Sequence, residues 1–177
     1  MRLGDHFQQI KKKYHNTFFS GICFDHRKIK KNYIFFAIKG NNLDGNNFIP
    51  SVIKKGCKII VTEKNFDELK SGVLFINTKN IRKLLAQISF SIFKKKPNNL
   101  IAVTGTNGKS SVSDFYYQIL NLNNKKVASI GTLGVRSNNF NLNLLNTTID
   151  PISLGKILTE LKKRKIENVI MEASSHG

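Results

Sequence analysis

Cysteine, proline and long apolar runs are scarce in this sequence, and tryptophan is missing. Two cysteines, Cys23 and Cys57, occur among 177 residues, which excludes a disulfide framework and a cysteine-based zinc site. No apolar run approaches the roughly 18 residues that cross a bilayer, and the N-terminus lacks the apolar segment of a signal peptide. We therefore expect a cytoplasmic protein without membrane insertion, in which both thiols are buried.

Acidic residues are also few: 11 Asp and Glu stand against 29 Lys and Arg, a formal net charge of +18. The lysines are spread along the whole chain and do not form the single basic stripe with interleaved aromatic residues that favours nucleic-acid binding. We expect no nucleic-acid partner, whereas an anionic ligand such as a nucleotide would benefit from the charge. A basic nucleic-acid-binding protein stays open as an alternative.

The segment 94–99, Lys-Lys-Lys-Pro-Asn-Asn, is the best domain boundary in the chain because it combines charge, a proline and two asparagines. Before it, aromatic and β-branched runs at 33–38, 57–62 and 73–76 predict short strands. Apolar residues at helical spacing predict helices over 48–55 and 81–93. The first domain, 1–95, is thus predicted to be a small α/β domain.

Beyond the boundary, strands and helices alternate regularly. The pattern predicts strands over 100–104, 127–131 and 168–173 and helices over 109–122 and 153–164, which implies a parallel sheet with right-handed crossovers. The run 100–104 is typical of a buried strand. So few strands would leave long edges exposed, so we expect the second domain, 96–177, to be incomplete.

The most specific motif is Gly-Thr-Asn-Gly-Lys-Ser-Ser, which follows an apolar strand and begins a helix. Glycines let backbone N–H groups point at a phosphate, the helix N-terminus adds positive charge, and a lysine reaches the outer phosphates. Val103 stands where the general phosphate-loop pattern has its first glycine, and an ordinary strand–turn–helix junction is the alternative. The predicted ATP-binding residues are Gly105, Thr106, Asn107, Gly108, Lys109, Ser110 and Ser111, with Lys109 as the catalytic candidate.

A second motif, Met-Glu-Ala-Ser-Ser-His-Gly at 171–177, follows the last predicted strand. Ligands of open α/β sheets bind at the carboxyl ends of strands, so Glu172 and His176 should emerge beside the phosphate loop. Oxygen and imidazole ligands near bound phosphates suit Mg²⁺, and the hydroxyl of Ser110 is placed to join them. By itself, His176 is as readily explained as a surface loop residue.

These segments resemble the Mur ligase superfamily. Its ATP loop, G-T-N-G-K-T-[ST], matches 105–111 with Ser110 in place of Thr, and its M-E-x-S-S-H-G segment matches 171–177. Between them, Gly-Thr-Leu-Gly at 131–134 and Asn-Thr-Thr at 146–148 are similar to a strand end and a substrate loop of the family. Taken alone, these two would be a turn and a helix-capping segment.

The N-terminal half resembles the same family. Asp-His-Arg at 25–27 is similar to its D-S-R segment, and Phe-Phe-Ala-Ile-Lys-Gly at 35–40 to its L-F-V-A-x-x-G strand. His26 replaces the usual serine, although a histidine still donates a hydrogen bond or stacks on uracil. A surface turn with a local ion pair is the alternative for 25–27. The resemblance implies a uridine site formed by Phe24, His26, Asn41, Asn42 and Leu43, and a muramoyl-peptide site formed by Asn146, Thr147, Thr148 and Ser174.

The resemblance implies an ATP- and Mg²⁺-dependent amide ligase of peptidoglycan synthesis. Such enzymes add a diamino acid, meso-diaminopimelate or L-lysine, to UDP-N-acetylmuramoyl-L-alanyl-D-glutamate through an acyl phosphate. The family's carbamylated lysine and the domain that selects the amino acid lie beyond 177, so we expect a fragment that forms no tripeptide by itself. Related ligases, namely the dipeptide-adding enzyme and folylpolyglutamate synthetase, stay open, as does a P-loop kinase or GTPase.

Overall fold

The structure is a computed structural model, and it describes residues 1–8, 10–144 and 149–173. The chain divides into two compact units, Met1–Ile92 and Phe93–Gly177. The division falls within a few residues of the segment in which the sequence predicts a linker. Along the described residues, no helix is long and apolar enough to span a membrane.

The first unit contains a five-stranded sheet in the order β1-β2-β3-β5-β4. β1, β2, β3 and β5 are parallel, and β4 pairs antiparallel with β5. The described residues of this unit also form two α-helices and three short 3₁₀ helices, Leu3–Asp5, Lys12–Tyr14 and Gly45–Phe48. The strands are β1 Gly21–Cys23, β2 Tyr33–Phe36, β3 Ile59–Thr62, β4 Leu69–Lys70 and β5 Val73–Asn77, and the helices are α1 Ile49–Lys54 and α2 Ile81–Ile92.

The core of this unit follows from the apolar strand residues. Phe35, Ile60 and Phe75 lie side by side on β2, β3 and β5 and are all buried. On α2, Ile81, Leu85 and Ile88 recur at helical spacing and are buried as well, which confirms the predicted apolar face. The predicted burial of both thiols is also confirmed: Cys23 and Cys57 are free and buried, and burial raises the pKa of the Cys57 thiol.

In the second unit, the described residues form a four-stranded sheet in the order β6-β9-β7-β8. β6, β9 and β7 are parallel, and β8 forms an antiparallel hairpin with β7 that the sequence patterns do not predict. Asp150 caps α4 through hydrogen bonds from the backbone N–H groups of Ile152 and Ser153. The strands are β6 Asn99–Val103, β7 Val127–Gly131, β8 Gly134–Ser137 and β9 Asn168–Glu172, and the helices are α3 Lys109–Leu122 and α4 Pro151–Lys163.

A strand forms close to the predicted bounds 100–104. The expectation that this strand is buried is wrong. β6 lies at the end of the sheet, and Leu100 and Ile101 are 37% and 40% exposed. The physical reason is position: only β9 pairs with β6 among the described residues, so one edge of the strand has no neighbour. The mixed α/β class and the parallel arrangement of β6, β9 and β7 agree with the prediction.

Candidate functional site

The loop between β6 and α3 has the backbone of a phosphate cradle. Gly105 has φ +149° and Gly108 has φ +78°, in the left-handed region that favours glycine. α3 begins directly after Gly108, and no side chain among the described residues caps its first turn. Its first N–H groups are therefore available to an anion, where the helix dipole adds partial positive charge.

The ammonium group of Lys109 lies over this loop. It donates hydrogen bonds to the carbonyl oxygens of Gly105, at 2.7 Å, and Thr106, at 3.4 Å. The lysine thus comes from the first turn of the helix and reaches back across the loop. This placement puts a positive charge beside the backbone donors that a polyphosphate would need.

Ser110 and Glu172 meet at the carboxyl edge of the sheet. β6 and β9 are parallel and pair Val103 with Glu172, which sets the carboxylate beside the start of the phosphate loop. The Ser110 hydroxyl donates to Glu172 Oε2 at 2.9 Å, and the backbone N–H of Thr132 donates to Glu172 Oε1 at 3.2 Å. Glu172 is 6% exposed and has no lysine or arginine partner within the described ranges. A buried carboxylate without a counter-ion, next to a hydroxyl, offers hard oxygen ligands of the kind that Mg²⁺ binds.

Further polar groups lie beside Ser110 and Glu172, and no sequence motif predicts them. A small open cavity is lined by Ser110, Ser113 and Glu172, among other residues. The buried hydroxyl of Ser113 has no hydrogen-bond partner in the part of the chain that the structure describes, and Arg136 on β8 pairs with Asp114 on α3 at 2.8 Å. These residues come from α3, β8 and β9, and only folding brings them together, because the three elements are far apart along the chain.

In the first unit, the predicted uridine residues lie at the carboxyl ends of neighbouring parallel strands. Phe24 and His26 follow β1, and 41–43 follow β2. The second segment forms an exposed turn closed by a hydrogen bond from the Gly40 N–H to the Leu43 carbonyl at 2.8 Å. The topology therefore brings both segments to one edge of the first sheet. Whether they bind uridine stays a prediction.

His26 stacks face to face on Phe48, with ring centroids 3.7 Å apart and an interplanar angle of 4°. Phe48 was not among the predicted site residues, since an aromatic residue at the start of α1 is more readily read as core. One face of the imidazole is covered by Phe48, so a further planar group would stack on the other face.

The residues that flank His26 form the local ion pair that the sequence leaves as an alternative. Arg27 donates from Nε and Nη2 to both carboxylate oxygens of Asp25 at 2.9 Å. The Arg27 side chain, helped by its backbone N–H, lowers the pKa of Asp25 to about 2. The pair fixes the turn in which His26 sits.

A partly buried hydroxyl–amide–carboxylate chain supports the turn after β2. Thr62 Oγ1 donates to Asn46 Oδ1 at 2.7 Å, and the Asn46 amide donates to Asp44 Oδ1 at 2.7 Å. Thr62 is fully buried at the end of β3. The chain of hydrogen bonds anchors the residues that follow 41–43, and no short motif predicts it.

Several predicted site residues lie outside the described residues: Asn146, Thr147, Thr148, Ser174 and His176. Within the described ranges, no group of three or more His, Cys, Asp and Glu side chains is placed to hold a metal ion. Of the three expected metal ligands, Ser110 and Glu172 are therefore described, and they contact each other.

The glycine-rich loop before α3, together with its lysine, gives the second unit the backbone arrangement of a P-loop. Residues 103–177 match the Mur ligase middle domain, and residues 19–91 match the Mur ligase family, catalytic domain. The chain belongs to the Mur ligase family.

Among curated proteins, the chain is similar to ligases named UDP-N-acetylmuramoyl-L-alanyl-D-glutamate–2,6-diaminopimelate ligase. It is 40% identical to that of Rickettsia conorii over 168 residues, which is 92% of this chain and 34% of the relative. It is 37% identical to that of Fusobacterium nucleatum over 161 residues, 90% of this chain and 33% of the relative. The chain thus spans about a third of the length of these relatives.

Solved structures agree in fold. One described as a UDP-N-acetylmuramoyl-L-alanyl-D-glutamate–2,6-diaminopimelate ligase superposes with a TM-score of 0.78 at 24% identity, covering 100% of this chain and 37% of the other. The MurF ligase of Thermotoga maritima, solved in complex with ADP, has a TM-score of 0.53 at 19% identity and covers 87% of this chain and 32% of the other.

Proposed function

We propose that the chain is the substrate- and ATP-binding part of a ligase that joins 2,6-diaminopimelate to UDP-N-acetylmuramoyl-L-alanyl-D-glutamate. The observation that carries the proposal is the contact between the Ser110 hydroxyl and Glu172 beside the glycine loop. It unites the two most specific motifs of the sequence in one place. The relatives named for this reaction support the choice of substrate and amino acid.

In this proposal, the second unit binds ATP. The backbone N–H groups of 105–108 and of the first turn of α3 hold the phosphate oxygens, and Lys109 neutralises their charge. Lys109 exchanges its two carbonyl contacts within the loop for phosphate oxygens when the nucleotide binds. The loop fits the group, since its glycines leave open space: a Cβ added at Gly108 would meet nothing within 4 Å. The nucleotide supplies the phosphoryl group that activates the carboxylate of the muramoyl peptide.

A divalent cation fits the same site. Ser110 Oγ and the carboxylate of Glu172 would hold Mg²⁺, which would screen the phosphate charge during phosphoryl transfer. Thr132 positions Glu172 by donating its backbone N–H to Oε1 and its hydroxyl to Oε2 at 3.2 Å. His176 completes the set of ligands in this proposal, and Ser174 and 146–148 hold the muramoyl-peptide end.

The first unit binds the uridine end of the substrate in this proposal. The free face of the His26 ring stacks on uracil, while Phe48 holds the imidazole from behind. Phe24 and the exposed turn 41–43 line the same edge of the sheet. The excess of basic residues favours the diphosphate.

Isothermal titration of the whole chain with ATP and Mg²⁺ tests the assignment of the nucleotide site. We expect weak binding that Lys109→Ala reduces about ten-fold or more, because a charged hydrogen bond is worth about 1.5–3 kcal/mol. Lys125→Ala is the matched control, since it removes the same charge from an exposed position near the other end of α3. Equal affinities for the two variants would contradict the proposal.

A further inference from the structure

A polar layer lies between α3 and its sheet, where a helix and a sheet usually pack through apolar side chains. Ser113, on α3, is 3% exposed, and Ser129, on β7, is 7% exposed. Both line the small cavity that Ser110 and Glu172 also line. Serine is mostly an exposed residue, because a hydroxyl taken out of water needs a hydrogen-bond partner. Three hydroxyl groups thus surround one buried carboxylate.

The periods of the helix and the strand bring these side chains to one place. Ser110 and Ser113 are three residues apart, so they lie on one face of α3 in successive turns. On β7, Ser129 and Gly131 are two residues apart and lie on one face of the sheet. A Cβ added at Gly131 would lie 2.1 Å from Glu172 Oε1, so that Ser129 is on the same face as Glu172. α3 packs on β7 and β9.

The hydroxyl of Ser113 is the unsatisfied group of this layer. Its Oγ atom is buried and has no hydrogen-bond partner among the described residues. A buried hydroxyl left unpaired costs about 1–3 kcal/mol, and in native proteins an ordered water often satisfies such a group. The cavity leaves about 10 Å³ for the centre of a water molecule, which is about the space that one water needs.

Charge shows which carboxylate of the cavity is available to a cation. Asp114 and Glu172 both line it. Asp114 pairs with Arg136 at 2.8 Å, so its charge is already compensated. The hydrogen bonds described for Glu172 come from neutral donors, the hydroxyl of Ser110 and the backbone and hydroxyl groups of Thr132. Glu172 therefore keeps its negative charge for a cation.

We propose that Ser113 positions Glu172 for the divalent cation through one water molecule held in this cavity. The inference rests on the cation site proposed above and adds to it a residue that touches neither the cation nor the nucleotide. The water exchanges hydrogen bonds with the hydroxyl groups of Ser113 and Ser129 and donates to the Glu172 carboxylate. Partners of this kind fix the orientation of a metal ligand and are nearly as important to a metal site as the ligand itself.

Mn²⁺ binding to the whole chain, without nucleotide, tests the proposal independently of turnover. Mn²⁺ binds the same oxygen ligands as Mg²⁺, and the electron paramagnetic resonance signal of the free ion gives its affinity. We expect Ser113→Ala to weaken Mn²⁺ binding about ten-fold or more, since loss of an outer partner typically costs a metal site about 10–100-fold in affinity. Ser113→Thr keeps the hydroxyl and should restore most of the affinity.

Ser89→Ala is the matched control. Ser89 lies on α2 and is fully buried, and its hydroxyl also has no partner among the described residues. It does not line the cavity, so the same substitution there should leave the Mn²⁺ affinity unchanged. Ser129→Ala changes the opposite wall of the cavity and should weaken Mn²⁺ binding in the same direction as Ser113→Ala. Circular dichroism and denaturant unfolding check that each variant is folded.

Glu172→Gln separates this inference from the proposed function. It should abolish Mn²⁺ binding at the site; if it does not, the cation site and the role of Ser113 both fail. If Glu172→Gln abolishes binding but Ser113→Ala binds Mn²⁺ as tightly as Ser89→Ala, the cation site stands and Ser113 has no positioning role. A loss that Ser113→Thr does not restore would assign the effect to packing and would also overturn the proposal.

A crystal structure of the chain tests the water itself. We expect one ordered water within hydrogen-bond distance of Ser113 Oγ and of the Glu172 carboxylate. A Ser113 hydroxyl bonded only to protein atoms, with no water in the cavity, would contradict the proposal whatever the Mn²⁺ affinities.

Discussion

The Ser110 hydroxyl donates a hydrogen bond to Glu172 Oε2 at 2.9 Å, across 62 positions of sequence. Ser110 lies in the first turn of α3, and Glu172 is the last residue of β9. The parallel pairing of β6 with β9 makes the contact, because both strands end at the same edge of the sheet. The contact joins the phosphate loop to the only buried carboxylate beside it among the described residues.

Ser110→Ala should remove most of the Mg²⁺ dependence of ATP binding. The hydroxyl is the predicted metal ligand on α3, and loss of a hydrogen-bonding group of this kind costs about 1–3 kcal/mol, or roughly five- to 150-fold in affinity. Ser110→Thr keeps the hydroxyl and is the matched control. Titrations at several Mg²⁺ concentrations would contradict the metal assignment if the alanine and threonine variants responded alike.

Gly131→Ala should destabilise the second unit. A Cβ at this position would lie 2.1 Å from Glu172 Oε1 and 2.5 Å from its carboxyl carbon, so the Glu172 side chain must move. Overpacking of this kind costs about 1–3 kcal/mol. Denaturant unfolding followed by circular dichroism measures the change. At Gly40 an added Cβ would meet only the Leu43 carbonyl, at 3.4 Å, and Gly40→Ala should therefore cost less; a reversed order would contradict the geometry.

Asp25→Asn should make the chain less stable at neutral pH and leave it unchanged at very low pH. Arg27 lowers the pKa of Asp25 to about 2. In an unfolded chain, the pKa of an aspartate is about 3.9. The stabilisation is present above the unfolded pKa and is lost as the pH falls through the folded one. Unfolding midpoints of both chains should thus converge between about pH 4 and pH 2. A constant difference across that window would show that the ion pair does not cause it.

His26→Ala should weaken the binding of UDP to the whole chain and leave ATP binding unchanged. The imidazole is held flat by Phe48, and its loss removes the stacking face, which is worth about 0.5–1.5 kcal/mol for an aromatic pair. His26→Phe keeps a flat ring and should retain most of the affinity. Chemical-shift titration with UDP is the measurement. If the alanine variant binds UDP as well as the original chain, the uridine assignment fails.

Leu85→Ala should lower the free energy of unfolding of the first unit by about 2–5 kcal/mol, as expected for a large-to-small change in a core. Leu85 is 2% exposed on the buried face of α2. Leu122→Ala is the comparison, because Leu122 is 81% exposed at the end of α3. Its effect should stay within about 0.5 kcal/mol in the chain alone. Thermal and denaturant unfolding of both variants measure the two changes in stability. A larger loss for Leu122→Ala than for Leu85→Ala would contradict this prediction.

Much of the second unit could be predicted from local patterns. The strand β7, Val127–Gly131, and the helix α3, Lys109–Leu122, have the predicted bounds, because a β-branched run and a helix after Gly-Lys-Ser are strong local signals. α4 begins two residues earlier than predicted, since Asp150 caps it and Pro151 takes its first position. The hairpin strand β8 and the short β1 and β4 carry too little periodicity to be predicted.

The candidate sites likewise contain some residues that a local motif predicts and some contacts that it does not. The phosphate loop is local, since its glycines, Lys109 and Ser110 lie within one short segment and could be recognised as a motif. Phe48 behind His26 and Arg136 beside Asp114 could not, because each contact joins residues that are 22 positions apart on different elements. A local sequence pattern does not predict contacts between residues on different elements.

The sequence by itself therefore determined the α/β class, the phosphate loop and the resemblance to the Mur ligases, because these depend on local propensity and on short motifs. The sequence also predicted that Glu172 lies beside Ser110. The tertiary structure alone decided which ring supports His26 and that β6 lies at an edge. Strand order governs the second of these, and strand order depends on the free energy of packing distant segments together. The burial of Leu100 and Ile101 likewise depends on which strands lie next to β6. Among the described residues, β6 has a neighbouring strand on one side only.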